Sequence, residues 1–165
     1  MSRGTPLAPS YSRGFQSEEG WALHLLGEAA LTSGNAQAAY EHYLAALEVR
    51  RGLGEVETSD SQAGLARACL GLGDMDQAMV HVEELLAIWE TRRMLGLDRP
   101  VLDMLICYQV LAAALDPRAP GLLEEGYRLL QECAANIEDE ALRHAFLENV
   151  RPNRELLAIW KGVES

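Results

Sequence analysis

The amino-acid sequence predicts an all-α fold, a short right-handed solenoid of about three helix pairs closed by C-terminal capping helices. Three observations carry this. Apolar residues recur at three- and four-residue spacing through most of the chain, and no segment needs a strand. Gly, Asn, Asp and Pro interrupt that pattern at positions that suit helix ends. One helix pair, together with its turn, recurs about 39 positions further on.

Residues 1–16 hold Gly4, Pro6, Pro9, Gly14 and several serines without helical periodicity, and are expected to form a flexible leader ahead of one helical domain, 17–165. The first helix should run from about Ser17 to Gly34 and the second from Asn35 to about Arg51. Gly52 and Gly54 then open a loop that closes at Ser59, which with Gln62 has the pattern of a capping box. The third helix stops at Gly73. Asp74 caps the fourth, with Gln77 three positions on, and that helix should reach Gly96. Pro100 suits the first turn of a fifth helix ending near Asp116. A sixth follows the turn from Pro117 to Pro120, a seventh spans about Asp139 to Asn149, and Pro152 starts a short eighth.

The repeat explains the residue types. Leu26, Gly27 and Ala30 in the first helix, after Leu23, and Ala39, Tyr43 and Ala46 in the second, return as Leu65, Ala66 and Cys69, then Ala78, Val82 and Leu85. The turns match too, Ser33-Gly34-Asn35 against Leu72-Gly73-Asp74. Antiparallel helices approach closely only where small residues such as Gly27, Ala39, Ala66 and Ala78 meet, and large residues fill the remaining space. A third pair, Val101 to Ala135, diverges, with Tyr108 near a small-residue position and Gly126 in the helix-B alanine position.

This pattern resembles the tetratricopeptide repeat, although the usual period is about 34 and the proline that ends a repeat is replaced near Arg51 and Glu90. The resemblance implies that the first helix of each pair lines a concave binding face. Its groove positions fall on His24, Glu28 and Leu31 in the first pair and on Ala63, Arg67 and Leu70 in the second. Trp21 stands near the groove edge as an aromatic anchor. The Lys/Asn cluster by which chaperone-binding relatives hold a C-terminal carboxylate is missing, which disfavours an acidic tail as ligand.

Over about Gly20 to Gly162 the chain also resembles the C-terminal repeat region of large bacterial ATPase-type transcriptional regulators and cyclase-linked ATPases. The residues that carry this are Gly20-Trp21-Ala22-Leu23 with Leu26-Gly27-Glu28, Asp116-Pro117-Arg118-Ala119, and Asp139-Glu140-Ala141-Leu142-Arg143 with Phe146-Leu147-Glu148-Asn149-Val150. In such proteins the repeat region is implied to receive a signal or partner while the chemistry sits in other domains.

Chemistry is hard to find in this chain. No phosphate loop, HExxH motif or nucleophile elbow is present, and the adjacent acids Glu83-Glu84 and Glu124-Glu125 point in different directions on helices. His42 and His81 share one repeat position, but no carboxylate stands at helical spacing to both. No catalytic residue, metal or cofactor is expected. A net charge of −11 and a pI near 4.8 disfavour nucleic acid and anionic membranes as partners. Without a signal sequence or a bilayer-length apolar run, a cytoplasmic protein is expected, and Cys69, Cys107 and Cys133 read as small apolar residues. These readings favour a non-catalytic protein–protein interaction module tied to bacterial signalling or transcription control. The alternatives are a sensor that binds a small molecule or peptide in its groove, and a terminal fragment of a larger regulator that self-associates.

The first helix is apolar almost all round, which predicts burial all round. Leu26 should pack on Tyr43 and Ala46, leaving the Leu25 and Ala29 side as a self-association edge. A leader carrying Leu7, Tyr11 and Phe15, a second copy or an upstream repeat would each cover it. A homodimer is favoured because docking a Gly- and Pro-rich leader costs more entropy.

Overall fold

The computed structural model describes residues 9–53, 55–92, 97 and 99–163, without the side chains of 9–15, 55–57 and 92. The described residues form eight helices and no strand: α1 (Pro9–Thr32), α2 (Ala36–Arg50), α3 (Glu55–Leu72), α4 (Met75–Arg92), α5 (Pro100–Ala113), α6 (Ala119–Ala135), α7 (Glu140–Glu148) and α8 (Arg151–Val163). Three hairpins, α1/α2, α3/α4 and α5/α6, stack in chain order. α3 packs on α1 and α2, α5 packs on α3 and α4, and α8, backed by α7, packs on α5 and α6. This is the predicted solenoid of three pairs with C-terminal capping helices.

The turns inside the three hairpins share one geometry. Gly34 and Gly73 adopt φ of 79° and 75°. The next residue's N–H reaches back to close each helix, Asn35 to the Ala30 carbonyl and Asp74 to the Cys69 carbonyl, both at 2.9 Å. The side chains of Asn35 and Asp74 then accept from the backbone N–H groups of Ala38 and Gln77, capping α2 and α4. The third hairpin repeats the turn with a residue poorly suited to it. Leu115 takes φ of 56°, Asp116 N–H reaches the Leu111 carbonyl at 2.8 Å, and the Asp116 side chain accepts from Arg118 N–H.

Two helices begin earlier than their sequence suggests. α1 starts at Pro9, so residues 9–16 of the expected leader are helical; a proline costs nothing in a first turn, where its missing N–H would have no partner. Residues 1–8, with Leu7, and the side chains of Tyr11 and Phe15 lie outside the described residues. α3 starts at Glu55, so Ser59 and Gln62 are not a capping box but buried positions inside the helix. α4 is described to Arg92, and the expected end at Gly96 lies outside the described residues.

Packing in the first two pairs centres on Tyr43, which is fully buried. A Cβ placed on Gly27 of α1 would lie 2.6 Å from its ring, and one on Gly64 of α3 would lie 2.5 Å away. Ala39, Leu47, Leu65 and Ala68 complete this small core. A larger core continues from Ala66, Cys69, Ala78, Val82 and Leu85 through α5 and α6 to Leu156 and Leu157 of α8. There Gly126 lets α6 approach, since a Cβ would stand 3.1 Å from Leu156 and 3.4 Å from Met104. Of the predicted repeat positions, Ala46 is also buried and Ala30 half-buried, but Leu26 is 51% exposed, because Gly27 and not Leu26 faces Tyr43.

Two stability measurements follow, both read from urea midpoints. Leu115 is 90% exposed, so Leu115→Gly should remove a left-handed strain of about 1–2 kcal/mol at an entropic cost of about 0.5–1 kcal/mol, raising stability by up to about 1.5 kcal/mol. Gly64→Ala should cost about 1–3 kcal/mol by overpacking Tyr43, whereas Gly162→Ala, with open space around it in α8, should be neutral or stabilising by up to about 1 kcal/mol.

Candidate functional site

Helices α1, α3 and α5 are the first members of the three pairs, and α8 follows α5 on the far side. Between them lies a cavity of about 350 Å³ lined by Glu28, Arg67, Arg99, Leu102, Leu105, Ile106, Gln109, Arg151, Pro152 and Glu155. Leu105 and Ile106 are buried and form an apolar floor, while the walls are polar. Both carboxylates are already engaged. Glu28 Oε1 accepts from the Tyr43 hydroxyl at 2.8 Å and from Arg67 at 2.7 Å, and Glu155 accepts from Gln109 at 2.7 Å. Burial works against the charge on Glu28, but Arg67 and the Tyr43 hydroxyl outweigh it and hold the carboxyl below its ordinary range. The same burial and hydrogen bond push the Tyr43 hydroxyl far up. Arg151 is exposed and makes no ion pair among the described residues. With three guanidinium groups against two carboxylates, the groove is locally cationic in a chain of net charge −11.

A buried layer stands behind the groove wall. His24 is 1% exposed and lies between Trp21, stacked at 5.3 Å and 10°, and the Tyr43 ring, tilted at the same centroid distance. Arg99 Nη2 lies 2.8 Å from His24 Nε2; since a guanidinium can only donate, Nε2 accepts and the proton sits on Nδ1, which has no partner among the described residues. Arg99 also lies 3.4 Å from Asp60, which faces Arg50 at 4.0 Å, and the Arg50 guanidinium is 5.7 Å from the Trp21 ring centroid. Burial lowers the His24 pKa below 6.5; Asp60 works against this and Arg99 adds to it.

The predicted groove residues therefore separate. Glu28 and Arg67 line the cavity, and Trp21, 42% exposed, stands over His24 near it. His24 and Ala63 are buried, His24 under Trp21 and Ala63 in the larger core, so they back the groove and do not line it. Leu31 and Leu70 are half-buried against the two cores. Leu25 and Ala29 are exposed. Sequence reasoning missed Arg99, Gln109, Arg151 and Glu155, which come from the divergent third pair and the cap. The case against an acidic tail considered α1 and α3 alone; Arg99 and Arg151 add guanidinium groups to the lining, which still holds no Lys or Asn.

Elsewhere, His81 is buried and its Nδ1 donates to Gln62 Oε1 at 2.6 Å, while Gln62 donates to Glu84. Its partner by repeat position, His42, is half-buried, and no group of three or more His, Cys, Asp or Glu among the described residues is placed to hold a metal ion. Glu83 pairs with Arg118, Glu125 accepts from Trp89, and Trp160 stacks on Tyr127 at 4.6 Å. Burial pushes the Cys69 thiol to about 11 and the Cys107 thiol higher still. No helix among the described residues is long and apolar enough to cross a membrane.

Residues 18–91 match the tetratricopeptide repeat family. The match covers the first two pairs nearly to the end of α4 and stops before α5 and α8, which complete the groove. No curated protein and no solved structure matches the chain. The third hairpin nonetheless carries the same turn geometry and packs on the second as the second packs on the first.

The buried histidines are expected to make the fold acid-sensitive. His24 and His81 both have pKa values lowered by burial, so both are neutral in folded and unfolded chains above 6.5 and stability is then fully present. As pH falls through 6.5 the unfolded chain takes up protons that the folded chain refuses, and stability falls. The urea midpoint should drop between pH 7.5 and 5.5, and the drop should be smaller in His24→Gln, whose amide can accept from Arg99 but cannot titrate.

Proposed function

We propose that this chain is a non-catalytic protein-interaction module whose concave groove holds an extended segment of a partner protein. The observation that supports this best is the groove itself, which crosses α1, α3, α5 and α8 with an apolar floor and walls of already oriented Glu28, Arg67, Gln109 and Glu155. Side chains held in place before binding reduce the ordering cost of association. The cavity is open and mainly polar, which suits the backbone and side chains of a peptide better than an enclosed metabolite. The similarity of 18–91 to tetratricopeptide repeats, which generally mediate protein–protein contacts, points the same way. The residue runs around Trp21, Asp116 and Asp139 to Val150 extend the proposal to a cytoplasmic role beside bacterial signalling or transcription machinery.

The test is site-specific photo-crosslinking in the source cells. A crosslinker at Leu102 in the groove should trap a protein, one at exposed Glu132 on α6 should trap several-fold less, and Arg151→Glu should reduce the Leu102 adduct at least tenfold. Equal adducts at both positions would defeat the reading. The purified chain is expected to show no steady turnover of ATP, and turnover that persists through purification would defeat the non-catalytic part.

A further inference from the structure

α1 turns Ala22, Leu25, Leu26 and Ala29 outward, and all four are exposed, Leu25 by 50% and Leu26 by 51%. The internal repeat shows what such a face is built to meet. At the repeat spacing, Leu25, Leu26 and Ala29 correspond to Gly64, Leu65 and Ala68 of α3. Leu65 and Ala68 are completely buried against Ala39, Tyr43 and Leu47 of α2, and Gly64 backs directly onto the Tyr43 ring. The equivalent face of the second pair is thus covered by a helix. α1 packs only on α2 and α3 among the described elements, through its opposite side, where Gly20 meets Arg50 and Gly27 meets Tyr43. Its outer face is a helix-packing surface without a described helix.

The order of residues along that face selects the occupant. Ala22, Leu25, Leu26 and Ala29 read the same in both directions, so a two-fold axis between positions 25 and 26 superposes the stripe on itself. In that antiparallel crossing Leu25 meets the partner's Leu26 at the centre and Ala22 meets the partner's Ala29 on each side, so small residues flank the Leu pairs and let the helices approach. The same register sets Glu18 against the partner's Ser33 and Glu19 against the partner's Thr32. No carboxylate faces a carboxylate, although the chain carries −11. A parallel pairing would set Glu18 and Glu19 against their own copies, which like-charge repulsion disfavours.

We propose that a second copy of this chain covers α1 through an antiparallel α1–α1 contact. Sedimentation equilibrium on the full chain over a wide concentration range should show a species of twice 18.1 kDa. Leu25→Arg and Leu26→Arg should each weaken it at least tenfold with unchanged helical circular dichroism and melting, since both side chains already face solvent. In a Cys133→Ser background, Ala22→Cys combined with Ala29→Cys should form an intermolecular disulfide and Ala22→Cys alone should not, because the two copies of position 22 would stand about 10 Å apart along the axis. A chain that is monomeric at every concentration, a dimer indifferent to both arginine variants, or efficient crosslinking through Ala22→Cys alone would each overturn the proposal.

Discussion

Tyr43 is fully buried although it carries a hydroxyl, and the way its ring and its oxygen are accommodated sets the spacing of the first three helices. Glycine at 27 and 64 leaves room for the ring on both sides, and the hydroxyl is satisfied by Glu28, which also holds Arg67. One side chain of α2 is thereby fixed to α1 by packing and by a hydrogen bond, and to α3 by packing and through an ion pair. The groove inherits its geometry from this arrangement, because the carboxylate and guanidinium on its wall are the ends of the same chain of contacts. A smaller residue at 43 would leave a void against two glycines.

The layer behind the groove combines the same economy with a larger risk. Asp60 is buried between Arg50 and Arg99, and His24 takes its hydrogen bond from Arg99 while its other nitrogen goes unpartnered. Buried ions add little net stability once desolvation is counted, but removing one partner leaves the others costly to bury. Such a network links the third pair to the first two through one guanidinium. It ties Arg99, immediately before α5, to His24 of α1 and Asp60 of α3, and through Asp60 to Arg50 of α2.

How far the sequence reveals this depends on which signals are local. Caps at Asn35, Asp74 and Asp139, prolines at 100, 120 and 152, and the repeated Gly turns are local chemistry, and the helices they bound lie close to where the sequence puts them. The start of α3 was illegible because Thr58 to Gln62 is a polar run that imitates a loop, and its polarity serves tertiary bonds to Arg50, Arg99, His81 and Glu84. The facing of α1 was misjudged at Leu26, although Gly27 was rightly placed at a close approach. Where all residues but His24 and Glu28 are apolar or small, hydrophobicity cannot tell Leu26 from Gly27, and the bulk of Tyr43 favours the glycine on the inner side. The third turn was placed correctly near Asp116, but Leu115 hid its likeness to the other two, where Asn35 and Asp74 stand in the place of Asp116.

The groove shows why the missing part was the more informative one. The half of the chain that follows the common repeat pattern supplies a scaffold and one preformed ion pair, Glu28 with Arg67. The half that departs from it supplies Arg99, Gln109, Arg151, Glu155 and most of the apolar floor. Repeats stack through positions that must stay the same, so a stack of regular repeats presents similar walls along its length. Chemistry that distinguishes one ligand from another has to come from residues freed of that constraint. In this chain those residues stand in the divergent pair and the cap, and the sign of their charge is opposite to that of the protein as a whole. A partner segment approaching along the groove would therefore pass from the paired charges of α1 and α3 to Arg151 on α8, which makes no ion pair among the described residues. Under the proposed function, that gradient along the stack would give a partner segment a direction as well as a place.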